Sequence, residues 1–218
     1  MSTNHTYYTL RGELALVLAV IINSLGVVLM LHSGSGISAI SSVPYAFSEV
    51  FPTLTLGTWT YIFQGLLIAI LMIMRKRFVI SYLFSFVVGF FFGIMIDIHE
   101  MWITLLPTTL PLRILYFVIS FGIAISNRCQ MPIIPTDLFP REFSEITAIR
   151  YSRVKISFDV LCLLITACMT FAFLGHIRGL GIGTIFAAFT MGKCIGIIGE
   201  KLDKKLCFVS FLSKHQTA

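Results

Sequence analysis

Of 218 residues, 57% are hydrophobic and only 12% are charged, whereas soluble domains carry about 25% charged residues. That excludes a water-soluble fold, and at about 20 residues per spanning helix six spans use more than half the chain and leave no length for a separate soluble domain. A formal net charge of +6 in so apolar a chain points to membrane topology and anionic lipid head groups, not to nucleic acid.

In chain order, residues 1–10 are polar and aromatic, and the apolar run that follows has no small-residue cleavage pattern, so it reads as a retained span. Apolar runs of spanning length occupy about 12–31, 57–74, 78–98, 108–126, 155–174 and 179–198. The polar residue at every second position that a membrane barrel needs is absent. Asn23 falls near the centre of the first run and Gln64 near the centre of the second. An unpaired amide in hydrocarbon is costly, so both are expected to face other helices or a pathway. The third run carries Gly89 and Gly93, which permit close helix packing, and ends in Asp97, His99 and Glu100. Together with His32 these acids and histidines read as a solvated rim rather than a metal site, with Asp97 in an end-of-helix role.

Two segments, 37–50 and 133–146, are too short to span, yet each carries one apolar stripe: Ile37, Ile40, Val43, Phe47 and Val50, then Ile133, Phe139, Phe143 and Ile146. With Ser41 and Asp137 as N-caps, Pro44 and Pro140 fall in the first turn, where a missing N–H costs nothing. This predicts short helices beginning near 42 and 138. Aimed at a shared cavity, their N-termini suit an anionic group; amphipathic helices lying on the membrane are the alternative. Further on, Asp159 stands about one turn into the fifth run, and Lys193 one to two turns from the end of the sixth. They are candidates for a charge pair that gates access or binds a proton, with snorkelling to the interface as the plainer reading.

All Lys and Arg except Arg113 and Arg178 sort to one face of a six-span arrangement. Cationic loops stay cytoplasmic, which puts both termini and the tail 206–218 in the cytoplasm. The five cysteines form no C-x-x-C pair, and a disulfide framework is not expected.

The chain also repeats itself. A shift of 96 lays Pro44, Phe47, Ser48 and Glu49 on Pro140, Phe143, Ser144 and Glu145; past an insertion near 175–181, a shift of 103 lays Gly89, Gly93 and Asp97 on Gly192, Gly196 and Glu200. Residues 11–99 and 108–205 then form two repeats of three spans. An odd number of spans turns the second copy over, as in many secondary transporters. The expected fold is an all-α integral membrane protein with six transmembrane helices in two inverted three-helix repeats, each with a short broken or interfacial helix after its first span.

Motifs for soluble chemistry are missing. Gly179-Leu-Gly181-Ile-Gly183 opens a span and has no preceding strand, there is no P-loop or H-E-x-x-H, and Ser33 to Gly36 beside His32 lacks the nucleophile elbow. The chain is expected to be no enzyme and to need neither cofactor nor metal.

Leu25-Gly26, Ser35-Gly36-Ile37-Ser38, Thr55-Leu56-Gly57-Thr58-Trp59, Pro135-Thr136-Asp137 and Gly181-Ile182-Gly183-Thr184 resemble the bacterial YczE/YyaS/YitT group of multi-pass membrane proteins, over about residues 11–205. The resemblance implies a bacterial cell-membrane location and a transport role. Where that group often has Pro-x-Asp in its first half, this chain has Ala39-Ile40-Ser41, so a role for an acid carries over only to Asp137. The leading expectation is a secondary permease for a small solute, with a pathway lined by Asn23, Ser41, Gln64, Asp137 and Asp159 and a gating pair of Asp159 and Lys193. The alternative is a non-transporting partner or accessory subunit of another membrane or biosynthetic complex, suited by small size and the basic tail from Lys201 to Lys214. A homo-oligomer fits either reading.

Overall fold

The computed structural model describes residues 8–126, 134–185 and 206–209. Its helices are α1 (Gly12–His32), α2 (Ala39–Val50), α3 (Leu56–Arg75), α4 (Ile80–Ile103), α5 (Leu110–Ser126), α6 (Pro135–Thr147) and α7 (Tyr151–Leu174). An eighth, α8, opens at 182–185. The rest of the sixth predicted span, with Lys193, Gly192, Gly196 and Glu200, lies outside the described residues. A short strand β1 (Tyr8–Arg11) pairs in parallel with β2 (Leu206–Val209), Tyr8 opposite Leu206, a pairing that composition did not suggest.

Three helices, α3, α4 and α7, are long and apolar enough to cross a membrane, and shorter apolar helices cover Leu16–His32 and Leu110–Ser120. Their outward side chains are apolar: Leu66, Ile73, Phe84, Phe91, Val118, Leu164 and Phe171 are all exposed. A soluble surface does not carry so continuous an apolar belt. This is a membrane protein.

The two short helices exist, but they begin earlier than capping by Ser41 and Asp137 requires. Ser38, extended at φ −61° and ψ 149°, is the N-cap of α2 and accepts from the Ser41 amide. It offers the same hydroxyl one turn sooner. Pro135 opens α6 with Ile134 as its cap residue and no side-chain cap, because proline's locked φ already suits a first helical position. Pro44 and Pro140 therefore lie inside their helices, where each leaves the carbonyl four residues earlier without a backbone donor. The fifth predicted span likewise starts at Tyr151 instead of 155, which places Asp159 two turns into it.

α1 packs between α4 and α5, while α2 packs on α3 and α7, and α6 on α3, α7 and α4. The helices α2, α3, α6 and α7 thus close a ring around a core that includes Val43, Leu67, Leu71, Phe139, Phe158 and Cys162. Within the ring α3 and α7 run in opposite directions. Phe51, just past α2, meets both Trp59 at the start of α3, at 6.2 Å, and Phe173 at the end of α7, at 6.0 Å. At the other end, Arg75 closes α3 and bonds α6, whose chain turns back into the start of α7 through Ala148 in the left-handed region.

Candidate functional site

The starts of α2 and α6 lie at mid-height in the bundle. Ser42 Oγ shares a 2.8 Å hydrogen bond with Thr166 Oγ1 of α7, both side chains fully buried. Thr166 lies eight residues before the end of α7, about 12 Å of helix at 1.5 Å per residue. The start of α6 reaches a comparable depth. A side-chain carbon built on Gly89 would fall 1.8 Å from Gln64 Oε1 and 3.0 Å from Pro135 Cδ, so Gln64, Gly89 and Pro135 converge. Gln64 and Gly89 each stand eight or nine residues from the first residue of a helix of 20 or more.

From these inner starts the two helices run to opposite ends and are pinned there. Glu49 near the end of α2 accepts from Arg178, just beyond α7. Near the end of α6, Glu142 accepts from Arg75 at 2.5 Å and from the Tyr82 hydroxyl, and Glu145 lies 3.5 Å from Arg75. Each half-helix is therefore tied to a helix of the other half of the chain: α2 to α7, and α6 to α3.

Asp137 sits in the first turn of α6 and shares an electrostatic environment with Lys155 and Asp159 of α7. Asp137 itself is half-buried. Lys155 is itself committed, donating to Asp159 Oδ1 at 2.9 Å. The cation beside Asp159 among the described residues is thus Lys155; Lys193, proposed for that place, is not described.

Gln64 is 0% exposed, and neither its Nε2 nor its Oε1 has a hydrogen-bond partner among the described residues. A bare buried amide costs stability unless something pairs with it. Gln64→Leu, which keeps the bulk and removes the polar atoms, is expected to raise thermal stability by about 1–3 kcal/mol, read as an upward shift of the melting midpoint in detergent. A lower midpoint would mean that the amide already has a partner.

The sequence-derived candidates divide into two groups. Gln64, Ser41 and Asp137 stand at or near the inner starts of the half-helices; Ser41 accepts from Ser38 Oγ at 2.9 Å. Asn23 is nearly buried on α1, outside the ring, and no hydrogen bond ties it to the others among the described residues. The outer acids and histidines do not gather. Asp97 caps the start of α3, accepting from Gly57 N and Thr55 Oγ1, each at 2.7 Å, as an end-of-helix group should. His99 is buried, not solvated: its Nδ1 accepts from Trp102, so Nε2 donates to the Ile21 carbonyl. His32 bonds the Leu106 carbonyl.

Sequence reading missed Ser42, Thr166, Tyr82, Glu142 and the two arginine locks. Glu49 and Glu145 were visible only as matched positions of the repeat, with no sign of their partners. A cavity of about 630 Å³ lies beside the loop that leads into α2, lined by Gly34, Ser35, Phe117, Gly181, Ile182 and Gly183. The loops there interlock: Ile37 N donates to Gly179 O and Gly183 N to Ser35 O, each at 2.9 Å.

No curated protein and no solved structure matches the chain. A family model matches residues 10–200, which covers every helix described above, and the chain belongs to that family, a family of unknown function (DUF6198).

Proposed function

We propose that this protein is a secondary permease for a small solute, with its site between two inverted repeats at the inner starts of α2 and α6. The observation that carries the reading is the exchange of half-helices. Glu145 lies 96 positions after Glu49, the shift of the first repeat match, while Arg178 falls in the 175–181 insertion. The pairs Glu49–Arg178 and Glu145–Arg75 pin α2 and α6 at opposite ends of an antiparallel α3–α7 pair. Half-helices that start at mid-height and meet polar groups there are how transporters of inverted plan build a midplane site. The parallel β1–β2 pairing brings both chain ends together, which supports an even number of crossings with both termini on one face, the cytoplasmic one by the charge rule. The shared motifs support kinship with the YczE/YyaS/YitT group and a bacterial cell-membrane location.

The second reading, a non-transporting partner of another membrane protein, is favoured by the α3–α4 seam. There Gly57 and Gly93 bring two backbones into contact and leave no passage.

Purified protein in proteoliposomes, assayed for uptake across panels of inorganic anions, carboxylates, amino acids and sugars, separates the two. Flux of one class, reduced at least tenfold in Asp137→Asn, is expected; no flux of any class, from protein shown to be folded, would leave the partner reading standing. Single cysteines in an otherwise cysteine-free chain test the topology: positions 76 and 150 are expected to label from one side and positions 108 and 176 from the other. Labelling of 76 and 150 from opposite sides would end the inverted arrangement.

A further inference from the structure

The cavity of about 630 Å³ beside the loop that leads into α2 stands apart from the starts of the half-helices. Two glycine-rich loops form one side of it and are locked together. Ile37 N donates to Gly179 O and Gly183 N to Ser35 O, and a side-chain carbon on Gly36 would fall 2.6 Å from Gly181 N and 2.2 Å from Thr184 Oγ1. The loops therefore meet backbone to backbone, with no room for a side chain between them. Facing them is Phe117 of α5, whose ring lies so close to Gly183 that a side-chain carbon there would sit 2.6 Å from Phe117 Cε2.

Arg113 stands at the edge of this space. A carbon built on Gly34, which lines the cavity, would lie 3.5 Å from Arg113 Cζ and 3.7 Å from each of Nη1 and Nη2. With C–N bonds of about 1.3 Å, those distances describe a point directly above the guanidinium carbon. The guanidinium thus stacks face-on over Gly34, and its N–H donors, which lie in its plane, present their edge sideways, not to the loop backbone beneath. Arg113 precedes Phe117 by four residues, so the two share one face of α5, with Phe117 about 6 Å further along the helix.

A cation near the start of α5 with an apolar lining one turn further in has the polarity of an amphiphile. On the same helix Ile114, Leu115 and Val118 are exposed, as are Ile182 and Ile185 of α8, an apolar surface of the kind that hydrocarbon tails cover in a membrane. A guanidinium edge pairs with the oxygens of a phosphate through parallel N–H bonds. A free inorganic anion would leave Phe117 and Ile182 without an apolar partner, and a zwitterionic headgroup brings a cation that the guanidinium repels.

We propose that this cavity binds an anionic phospholipid, its phosphate on the guanidinium edge of Arg113 and the upper part of an acyl chain against Phe117 and Ile182. The site is separate from the proposed solute pathway and does not depend on transport.

Melting of the purified full chain in detergent, titrated with phosphatidylglycerol, with phosphatidylcholine of the same chains or with inorganic phosphate, tests this. A ligand that binds only the folded chain raises the midpoint as it saturates. Phosphatidylglycerol is expected to do so at concentrations about tenfold or more below the other two. Arg113→Gln should raise its half-saturating concentration about tenfold, the loss of a charge-assisted pair. Arg113→Lys, which keeps the charge and loses the fork, should raise it less. Ile182→Trp keeps the charge and fills part of the cavity, and should weaken the lipid as well; Arg113 and Ile182 are both exposed, so these variants are expected to fold. Arg77→Gln, at the opposite end of α4, should change nothing. Equal shifts from phosphatidylcholine would overturn the choice of an anionic headgroup, and equal shifts from inorganic phosphate the choice of a lipid. Saturation that neither Arg113→Gln nor Ile182→Trp moves would overturn the site.

Discussion

Gly57→Val is expected to abolish recovery of folded protein. A side-chain carbon at Gly57 would sit 2.1 Å from the Gly93 carbonyl oxygen and 2.6 Å from Asp97 Cγ, and one at Gly93 would sit 2.6 Å from the Gly57 carbonyl oxygen. Neither obstacle is the free end of a flexible side chain. One is backbone of α4, and the other is the carboxylate that caps α3 through Gly57 N and Thr55 Oγ1. Inserting atoms into a packed core usually costs about 1–3 kcal/mol. A bulkier β-branched residue that also displaces the cap is expected to exceed that, since caps add about 1 kcal/mol. Size-exclusion profile and melting midpoint in detergent are the measurements, with Gly175→Ala as the control. Gly175 has φ +73° and nothing within 4 Å of the added carbon, so only backbone strain of about 1 kcal/mol is expected there. If Gly57→Val melts with the wild type, α3 and α4 do not cross at these glycines.

Glu142→Leu is the second large loss. One carboxylate oxygen takes both Arg75 Nη2 and the Tyr82 hydroxyl, and Tyr82 is only 2% exposed. Removing the acceptor leaves a buried phenol unpaired, at about 1–3 kcal/mol. Arg75 adds little, because about a third of its side chain is accessible and solvent screens it. A drop of about 2 kcal/mol in unfolding free energy is therefore expected from the phenol alone. Tyr82→Phe in the Glu142→Leu background should restore most of it, because the orphaned hydroxyl is then gone. If the second substitution restores nothing, the hydroxyl was not what the acid was holding. Under the permease reading proposed above, loosening this lock while keeping Glu49–Arg178 should bias the protein toward opening at the Arg75 end; loosening Glu49–Arg178 should do the reverse.

The residues whose role could be read in advance are those whose constraint is local. Asp97 at the end of an apolar run had to cap a helix or meet water, and it caps α3. Gly89 and Gly93 at four-residue spacing had to let something approach, and they admit Gln64 and the Gly57 backbone. Short motifs along the chain turn out to be contact points. Ser35 and Gly36 lock against Gly181 to Thr184, Thr55 and Gly57 against Asp97, and Pro135 against Gln64 and Gly89.

What misled was also local. Ser41 and Asp137 are sound caps by residue type, and nothing in one sequence says that each helix will start three positions sooner, behind Ser38 and at Pro135. The partners of Arg75 and Glu49 lie 67 and 129 positions away, and Asp159, paired in the sequence reading with Lys193, bonds Lys155 one turn before it on α7. His99 looked like a rim residue because it follows an apolar run, yet α4 continues to Ile103 and carries it into the seam with α1.

By itself the amino-acid order determined that this chain lives in a membrane and roughly where its helices run, because hydropathy is a property of neighbours along the chain. Tertiary structure decided which polar groups meet. Only packing could bring α6 against α3 and set the buried Gln64 amide at the start of α6 with no partner among the described residues. Those outcomes depend on distances between segments far apart in the chain, which its linear order does not encode in any local pattern.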